Sequence, residues 1–129
     1  MTRSKHKKRR ERGAVAVEFA LVAPILLLIV VAIVEFSHAY NLQISVTQAA
    51  REAARNMAIH NSASQASAAG AAGAPGVPLS SGNFSYSAGG CNTAGSTVTA
   101  TVAYNTASLT GFFGSTVSVT GKAAMQCGG

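Results

Sequence analysis

The residues best placed to do chemistry are Gly13 and Glu18, at the start of a long apolar stretch. Glu18 is the only ionisable side chain between Gly13 and Val34, and a carboxylate at the centre of a bilayer is unfavourable by about 2.5–3.5 kcal/mol. Cleavage after Gly13 would create an α-amino group on Ala14, one helical turn from Glu18 of the same chain or close to Glu18 of a neighbouring copy. A buried ammonium and a buried carboxylate are tolerated as a pair, whereas either alone is costly. If the chain is cut between Gly13 and Ala14, the spacing predicts an ion pair that sets helix register; alternatively, Glu18 lies near the membrane interface and has no function.

The positive charge of the chain is confined to its N-terminal end. The first 12 residues carry seven lysines and arginines against Glu11, and the remainder sums to zero within a net charge of +6. Basic residues beside an apolar segment stay on the cytoplasmic side, so residues 1–13 are predicted to be a cytoplasmic leader and the C-terminal part to be exported. No aromatic residue or folded motif accompanies this leader, which argues against nucleic acid as a partner.

Cys91 and Cys127 are the only cysteines, and both lie in the part predicted to be exported. A single pair in a small exported domain is typical of a disulfide, and closing a loop of about 37 residues stabilises by roughly 3–4 kcal/mol. Two cysteines without neighbouring histidines fall short of four zinc ligands, so no metal is predicted.

The C-terminal part offers its many serines no general base. No aspartate or glutamate follows Glu52 and no histidine follows His60, whereas a nucleophilic serine needs such a group within reach. The sequence therefore predicts no catalytic residue, no cofactor and no enzyme.

A membrane-spanning helix must position Gly13 and Glu18. Residues 14–35 are almost entirely apolar, and about 21 helical residues cover roughly 30 Å, the thickness of the hydrocarbon core. Pro24 is predicted to bend this helix, or to mark a locally melted stretch where subunits pack. Glu35 is interpreted as a marker of the outer boundary, with a contact to a basic residue of a partner protein as the alternative.

Residues 36–60 are predicted to continue as an amphipathic helix outside the membrane. Apolar residues recur at spacings of three and four and narrow to alanine along the segment. The apolar set is Phe36, Tyr40, Leu42, Ile44, Val46, Ala49, Ala50, Ala53, Ala54 and Met57, and the polar set is Gln48, Arg51, Glu52 and Arg55. The alanine face is expected to pack on the chain's own sheet or, alternatively, between subunits.

Residues 61–82 are rich in alanine, glycine, serine and proline. They are predicted to form a connection that includes a short helix over 62–69, which Gly70 and the glycines and prolines after it terminate.

Residues 83–129 change to a period of two, which predicts a small head of antiparallel strands. The alternating segments are 84–87, 97–104 and 116–123, and the alanine-rich helix is the element available to cover one face of their sheet. The fold class is therefore α+β, with a long N-terminal transmembrane and amphipathic helix packed on a small antiparallel sheet. Leu109, Phe112 and Phe113 are predicted to close the end of the core, with an exposed contact for a partner or membrane surface as the alternative.

The segment from Gly13 to Arg55 carries a family resemblance. Basic residues, Gly13 and Glu18 five positions later resemble the type IV prepilin processing site, in which a membrane peptidase cuts after the glycine. The full string, GAVAVEFALVAPILLLIVVAIVEFSHAYNLQISVTQAAREAAR, is similar to the TadE-like family of tight-adherence (Tad) pilus assembly proteins of bacteria. Pro24 within the span contributes to this resemblance, while Phe19 departs from it, because the family's cleavage motif often has tyrosine after the glutamate.

The resemblance implies a pilin-like fold and a minor subunit, or pseudopilin, of a Tad-type pilus. It implies cleavage after Gly13 by a prepilin peptidase and packing through Glu18 and Phe19 against other pilin or pseudopilin subunits and membrane platform proteins. The implied location is the cell membrane, with one span, the N-terminus in the cytoplasm and the head outside, or a surface pilus. The implied role is in pilus biogenesis and adhesion.

Two other functions are consistent with the sequence. One is a single-span surface protein that is never cleaved and whose head binds an external partner. The other is a small secreted protein, because Ser37, His38 and Ala39 have the small-x-small form of a signal-peptidase site that would be cut after Ala39.

Overall fold

A computed structural model describes residues 5–87 and 89–128, with side chains from residue 11 onward. The chain divides into two compact units, Met1–Phe36 and Ser37–Gly129. Helix α1 (Lys5–His60) contributes to both units. The other elements are helix α2 (Ala63–Ala72), a 3-10 turn (Ser81–Asn83) and strands β1 (Phe84–Tyr86), β2 (Thr97–Ala107) and β3 (Thr116–Gln126). The prediction of an α+β fold with a long N-terminal apolar helix and a small antiparallel sheet is confirmed.

The first unit is a helix whose apolar side chains are exposed. One 18-residue window within Glu11–His60 has a mean hydropathy of 2.9, and none of it is buried in the fold. This helix is long and apolar enough to cross a membrane. Its helical residues continue through Pro24 without interruption, so a bend at Pro24 stays a prediction.

The second unit contains one three-stranded sheet with the order β1-β2-β3, antiparallel throughout. Strands β2 and β3 form an 11-residue hairpin ladder that runs from the pair Thr97 and Gln126 to the pair Ala107 and Thr116. Alternate residues of β2, namely Val98, Ala100 and Val102, are fully buried, as the period-two pattern requires of a sheet with one covered face.

The C-terminal part of α1 covers that face. Five of its buried residues, Val46, Ala49, Ala50, Ala53 and Ala54, pack in one cluster with Phe84, Ala100, Val102 and Val119 of the sheet. The predicted polar residues Gln48, Arg51 and Arg55 are exposed. Alanine on the helix face brings the helix backbone close to the sheet, because no longer side chain separates them.

Three residues of the predicted apolar set lie outside the helix face that meets the sheet. Phe36, Tyr40 and Ile44 are 73%, 61% and 53% exposed. They repeat every four residues and form a separate row, displaced around the helix from the row of Leu42, Val46 and Ala50 that meets the sheet. Glu35, interpreted as a boundary marker, is a buried side chain with 7% exposure.

Two glycines determine how closely the elements of the second unit approach. A Cβ atom on Gly121 of β3 would lie 2.5 Å from the carbonyl oxygen of Val46 and 2.8 Å from Cα of Thr47. A Cβ atom on Gly70 would overlap the ring of Phe84 and lie 2.9 Å from the carbonyl oxygen of Ala49. Only glycine fits at either position.

The prediction that Gly70 terminates the short helix is wrong. Helix α2 continues through Gly70 to Ala72, and Gly73 follows as its C-cap. Glycine weakens a helix by about 1 kcal/mol relative to alanine, but at this position its missing side chain lets α2 pack against α1 and β1. Packing therefore outweighs the intrinsic helix propensity.

Candidate functional site

The candidate processing site lies in the first unit, on α1. Ala14 and Glu18 stand four residues apart, which places them on one face of the helix and about 6 Å apart along its axis. A Cβ atom on Gly13 would meet no atom within 4 Å. Glu18 is exposed, and the neighbouring Phe19 is 72% exposed. The site is thus open both to a peptidase and to the packing of further helices.

The chemistry of this site changes if the chain is cut. In the uncut chain the nitrogen of Ala14 belongs to a neutral peptide bond, so it cannot balance the charge of Glu18. Cleavage after Gly13 would convert that nitrogen into an α-amino group, which can bind a proton and carry a positive charge. The ammonium would then be one turn from the carboxylate of its own chain.

The second unit, called the head from here on, has a covalent closure at the end where α1 terminates. Cys91 and Cys127 form a disulfide, with Cα atoms 5.4 Å apart. Cys127 is buried in a small cluster with Met57, Ala66 and Val98. The disulfide therefore joins the loop before β2 to the residue after β3.

Asn61 connects the end of α1 to this disulfide. Its backbone adopts a left-handed conformation with φ of 48°, and its Oδ1 atom accepts a hydrogen bond of 2.8 Å from the backbone N–H of Cys91. Its Nδ2 atom donates to Oδ1 of Asn92 over 2.9 Å. The sequence analysis missed this residue, although asparagine directly after a helix is typical of a left-handed C-terminal position.

A side-chain hydrogen bond connects α2 to the sheet. The hydroxyl groups of Ser67 and Tyr86 are 2.9 Å apart, and Ser67 is buried. Burial raises the pKa of Tyr86 above its usual value, and the hydrogen bond with Ser67 partly offsets this. The phenol is therefore neutral across the physiological range.

The aromatic residues between β2 and β3 lie on the surface of the head. Leu109, Phe112 and Phe113 are 56%, 64% and 62% exposed, so the prediction that they close the end of the core is wrong. The two phenylalanine rings contact each other edge to face, with centroids 5.5 Å apart. The reason is the length of the hairpin ladder, which carries its turn beyond the part of the sheet that α1 covers.

Metal ligands do not cluster in the part of the chain that the structure describes. Within residues 5–87 and 89–128, no group of three or more histidine, cysteine, aspartate or glutamate side chains could hold a metal ion.

Comparison with protein families identifies the class of the N-terminal segment. Residues 13–55 match the family model described as TadE-like protein, which confirms the resemblance seen in the sequence. The matched family is one of Tad pilus-associated proteins that are structural rather than catalytic, so the match suggests an association with Tad pili. Together with the apolar helix, it supports anchoring in a membrane.

The matched segment covers one third of the chain and begins at Gly13. It contains the candidate processing site, the apolar stretch and most of the helix face that packs on the sheet. No curated protein and no solved structure matches the chain.

Proposed function

We propose that the chain is a minor pilin-like subunit, a pseudopilin, of a Tad-type pilus assembly system, cut after Gly13 and packed with other subunits through its N-terminal helix. The observation that carries this proposal is the family match that begins at Gly13, in a stretch from Gly13 to Val34 whose sole ionisable residue lies five positions after the glycine. In this proposal the chain acts by assembly and not by catalysis.

The exposed helix of the first unit supports packing between subunits. Apart from Glu18, residues 14–34 carry apolar side chains on all sides of the helix, and none of the most apolar 18-residue window is buried. Such a helix requires lipid or other helices around it. Glu18 favours helices as partners, because an ammonium on Ala14 of its own or a neighbouring chain would supply the opposite charge that lipid tails lack.

The helical conformation and the open surroundings of Gly13 support cleavage at this position. Gly13 lies within α1, and a peptidase must unwind the helix locally before it can bind the peptide bond in an extended form. Glycine lowers that cost, since it is about 1 kcal/mol less favourable in a helix than alanine. No side chain packs near the Cβ position of Gly13, so unwinding there breaks no tertiary contact.

The proposal includes the partners and the location. A prepilin peptidase would cut the precursor, and pilin or pseudopilin subunits and membrane platform proteins would bind the mature helix. The basic leader would stay in the cytoplasm and the head would be outside, where an oxidising compartment favours the Cys91–Cys127 disulfide. The resulting role is pilus biogenesis and, through it, adhesion.

The first test is the mass and N-terminal sequence of the protein isolated from membranes of its native host. We expect the mature chain to start at Ala14 and Gly13→Leu to keep the leader, while the control Ala20→Leu, in the same helix, is still cut. A chain that starts at Tyr40 would support the secreted protein instead. A chain that starts at Met1 or Thr2 would support the uncut surface protein.

The second test addresses Glu18. We expect Glu18→Gln to be processed normally but to co-isolate with a second, differently tagged copy, or with other Tad components, at least severalfold less than the parent. The control is Glu11→Gln, which makes the same chemical change in the leader that processing removes. Equal co-isolation of the two variants would exclude a packing role for the carboxylate.

A further inference from the structure

We propose that the turn of the β2–β3 hairpin, residues 108–115, is a second membrane contact that inserts into the interfacial layer of the bilayer crossed by the apolar helix. This segment is called the hairpin tip below. The inference depends on the membrane anchoring included in the proposed function. The experiment distinguishes a failure of the hairpin-tip contact from a failure of membrane anchoring.

The contacts between helix α1 and strand β3 show in which direction the hairpin tip lies within the second unit. Gly121 faces the backbone of Val46, and Nε2 of Gln43 donates a hydrogen bond of 2.9 Å to the carbonyl oxygen of Thr120. Further along both elements, Met57 and Cys127 lie in one cluster. Helix α1 and strand β3 therefore run in the same direction, and the start of β3 lies towards Ser37.

Strand β3 is long enough to bring the hairpin tip to the level of Ser37. From Gly121 back to Thr116, β3 spans about 17 Å at about 3.3 Å per residue. From Val46 back to Ser37, α1 spans about 14 Å at 1.5 Å per residue. The hairpin tip continues beyond Thr116, so it reaches the level of Ser37 even with the strand inclined to the helix. Ser37 is the residue at which this unit continues into the apolar segment.

The hairpin tip exposes large apolar side chains and carries no charge. Leu109, Phe112 and Phe113 expose more than half of their surfaces, and residues 105–118 include no charged side chain. Serine and threonine make up most of the remaining tip. Exposed large apolar side chains with small polar neighbours and no charge suit the membrane interface, where apolar side chains enter the boundary of the acyl chains and hydroxyl groups remain hydrated.

The backbone of the tip is also prepared for a less polar environment. The N–H of Gly111 donates to Oγ of Ser108 over 2.9 Å, and the N–H of Phe112 donates to Oγ1 of Thr110 over 3.3 Å. Because unsatisfied polar groups are costly away from water, these local bonds lower the cost of moving the tip out of bulk solvent. The tip can insert without refolding.

A second contact would restrict how the head is oriented. A single helix leaves the tilt of the head relative to the bilayer free, whereas two separate contacts with one bilayer restrict that tilt. Extraction of the subunit from the membrane into a filament would then require the tip to leave the interface. The hairpin tip would thus add to the free energy that retains the uncut or unassembled subunit in the membrane.

The experiment uses tryptophan as a site-specific probe in the full chain, which has no native tryptophan. Phe112→Trp and, independently, Phe113→Trp are reconstituted into vesicles of phosphatidylcholine and phosphatidylglycerol. Emission is recorded with brominated lipids as membrane quenchers and with acrylamide as an aqueous quencher. The matched control is Ile59→Trp, at the opposite end of the head, because Ile59 and Phe112 are both 64% exposed.

We expect the probes at Phe112 and Phe113 to emit at shorter wavelength than the probe at Ile59 and to be quenched by lipids brominated near the headgroup. The probe at Ile59 should respond to acrylamide alone. Acrylamide quenching of the two tip probes equal to that of the Ile59 probe would overturn the proposal. A blue shift that disappears on dilution of protein into lipid would also overturn it, since a second copy of the chain would then cover the tip.

A third probe, Leu27→Trp, keeps this inference separate from the anchoring on which it depends. Leu27 lies within the apolar stretch, so its probe should be quenched by lipids brominated deep in the acyl chains. Loss of that quenching would refute membrane anchoring itself. Deep quenching at Leu27 with aqueous behaviour at Phe112 and Phe113 would refute the hairpin tip alone.

Discussion

Gly121 provides a quantitative test of how the head is held together. Gly121→Ala would place a Cβ atom 2.5 Å from the carbonyl oxygen of Val46, 2.7 Å from its carbonyl carbon and 2.8 Å from Cα of Thr47. All three are backbone atoms, so no side-chain rotation relieves the overlap. To reach ordinary van der Waals separation, the helix and the strand must move apart by about 1 Å, which separates packed surfaces on both sides.

The expected cost combines two opposing terms. Overpacking a close-packed interior typically destabilises by about 1–3 kcal/mol, while alanine restricts the unfolded chain and recovers about 0.4–1 kcal/mol. We expect Gly121→Ala to lower the free energy of unfolding by about 1–2 kcal/mol, which for a unit of this size corresponds to a lowering of the melting temperature by about 4–16 °C.

The measurement is thermal unfolding of the full chain in detergent micelles, followed by the near-ultraviolet circular dichroism of tyrosine. All three tyrosines, Tyr40, Tyr86 and Tyr104, lie in the second unit, so the signal reports on the head. The control is Gly82→Ala, whose Cβ atom would meet only Oγ of Ser80 at 3.8 Å. If Gly121→Ala melts with Gly82→Ala and the parent, the close approach of β3 to α1 is not what holds the head together.

Three further predictions concern the disulfide end of the head and the half-buried phenol of Tyr86. Replacing Cys91 and Cys127 together by serine should lower the free energy of unfolding by about 3–4 kcal/mol, from the loop-closure entropy of their separation of 36 residues; a denaturant midpoint equal to that of the parent would contradict this. Asn61→Ala should destabilise by about 1–2 kcal/mol more than Asn61→Gly, because both lose the bonds to the disulfide loop but only alanine is strained at φ of 48°; equal urea midpoints would refute the strain. Because burial raises the pKa of Tyr86, the unfolded phenol releases its proton first, so its contribution to stability is complete below pH of about 10 and is lost as the pH rises through the folded pKa. Tyr86→Phe should remove this part of the alkaline loss, and an unchanged pH profile of unfolding would show that another group causes it.

The strands and the long apolar helix were predictable because their patterns are long and regular. The alternation over 97–104 extends to the observed end of β2 at Ala107, since the same period continues once the hairpin ladder has formed. The apolar stretch after Gly13 exceeds the length of an ordinary buried helix, which left few alternatives. In both cases local pattern and tertiary environment agree.

The errors arose where tertiary packing decides. Gly70 reads locally as a helix terminator, but a close contact with Phe84 selects glycine inside the helix. Gly121 interrupts an alternating strand, which can indicate a close approach, but the sequence does not say which element approaches. The exposure of Phe112 depends on how far the hairpin ladder continues beyond the covering helix. The residues of the turn alone do not determine that length.

The composition of the buried face has a consequence for the temperature dependence of stability. The largest fully buried side chains among the described residues are Val46, Val98 and Val102, and alanine fills most of the helix face. The heat-capacity change of unfolding scales with the apolar area that becomes exposed. We therefore expect a value below the usual one of about 12–15 cal/mol/K per residue. A smaller heat-capacity change flattens the curve of free energy against temperature. The head would therefore lose little stability on cooling. Close backbone contact and the disulfide supply part of the stabilisation that the burial of large apolar side chains supplies in other small domains.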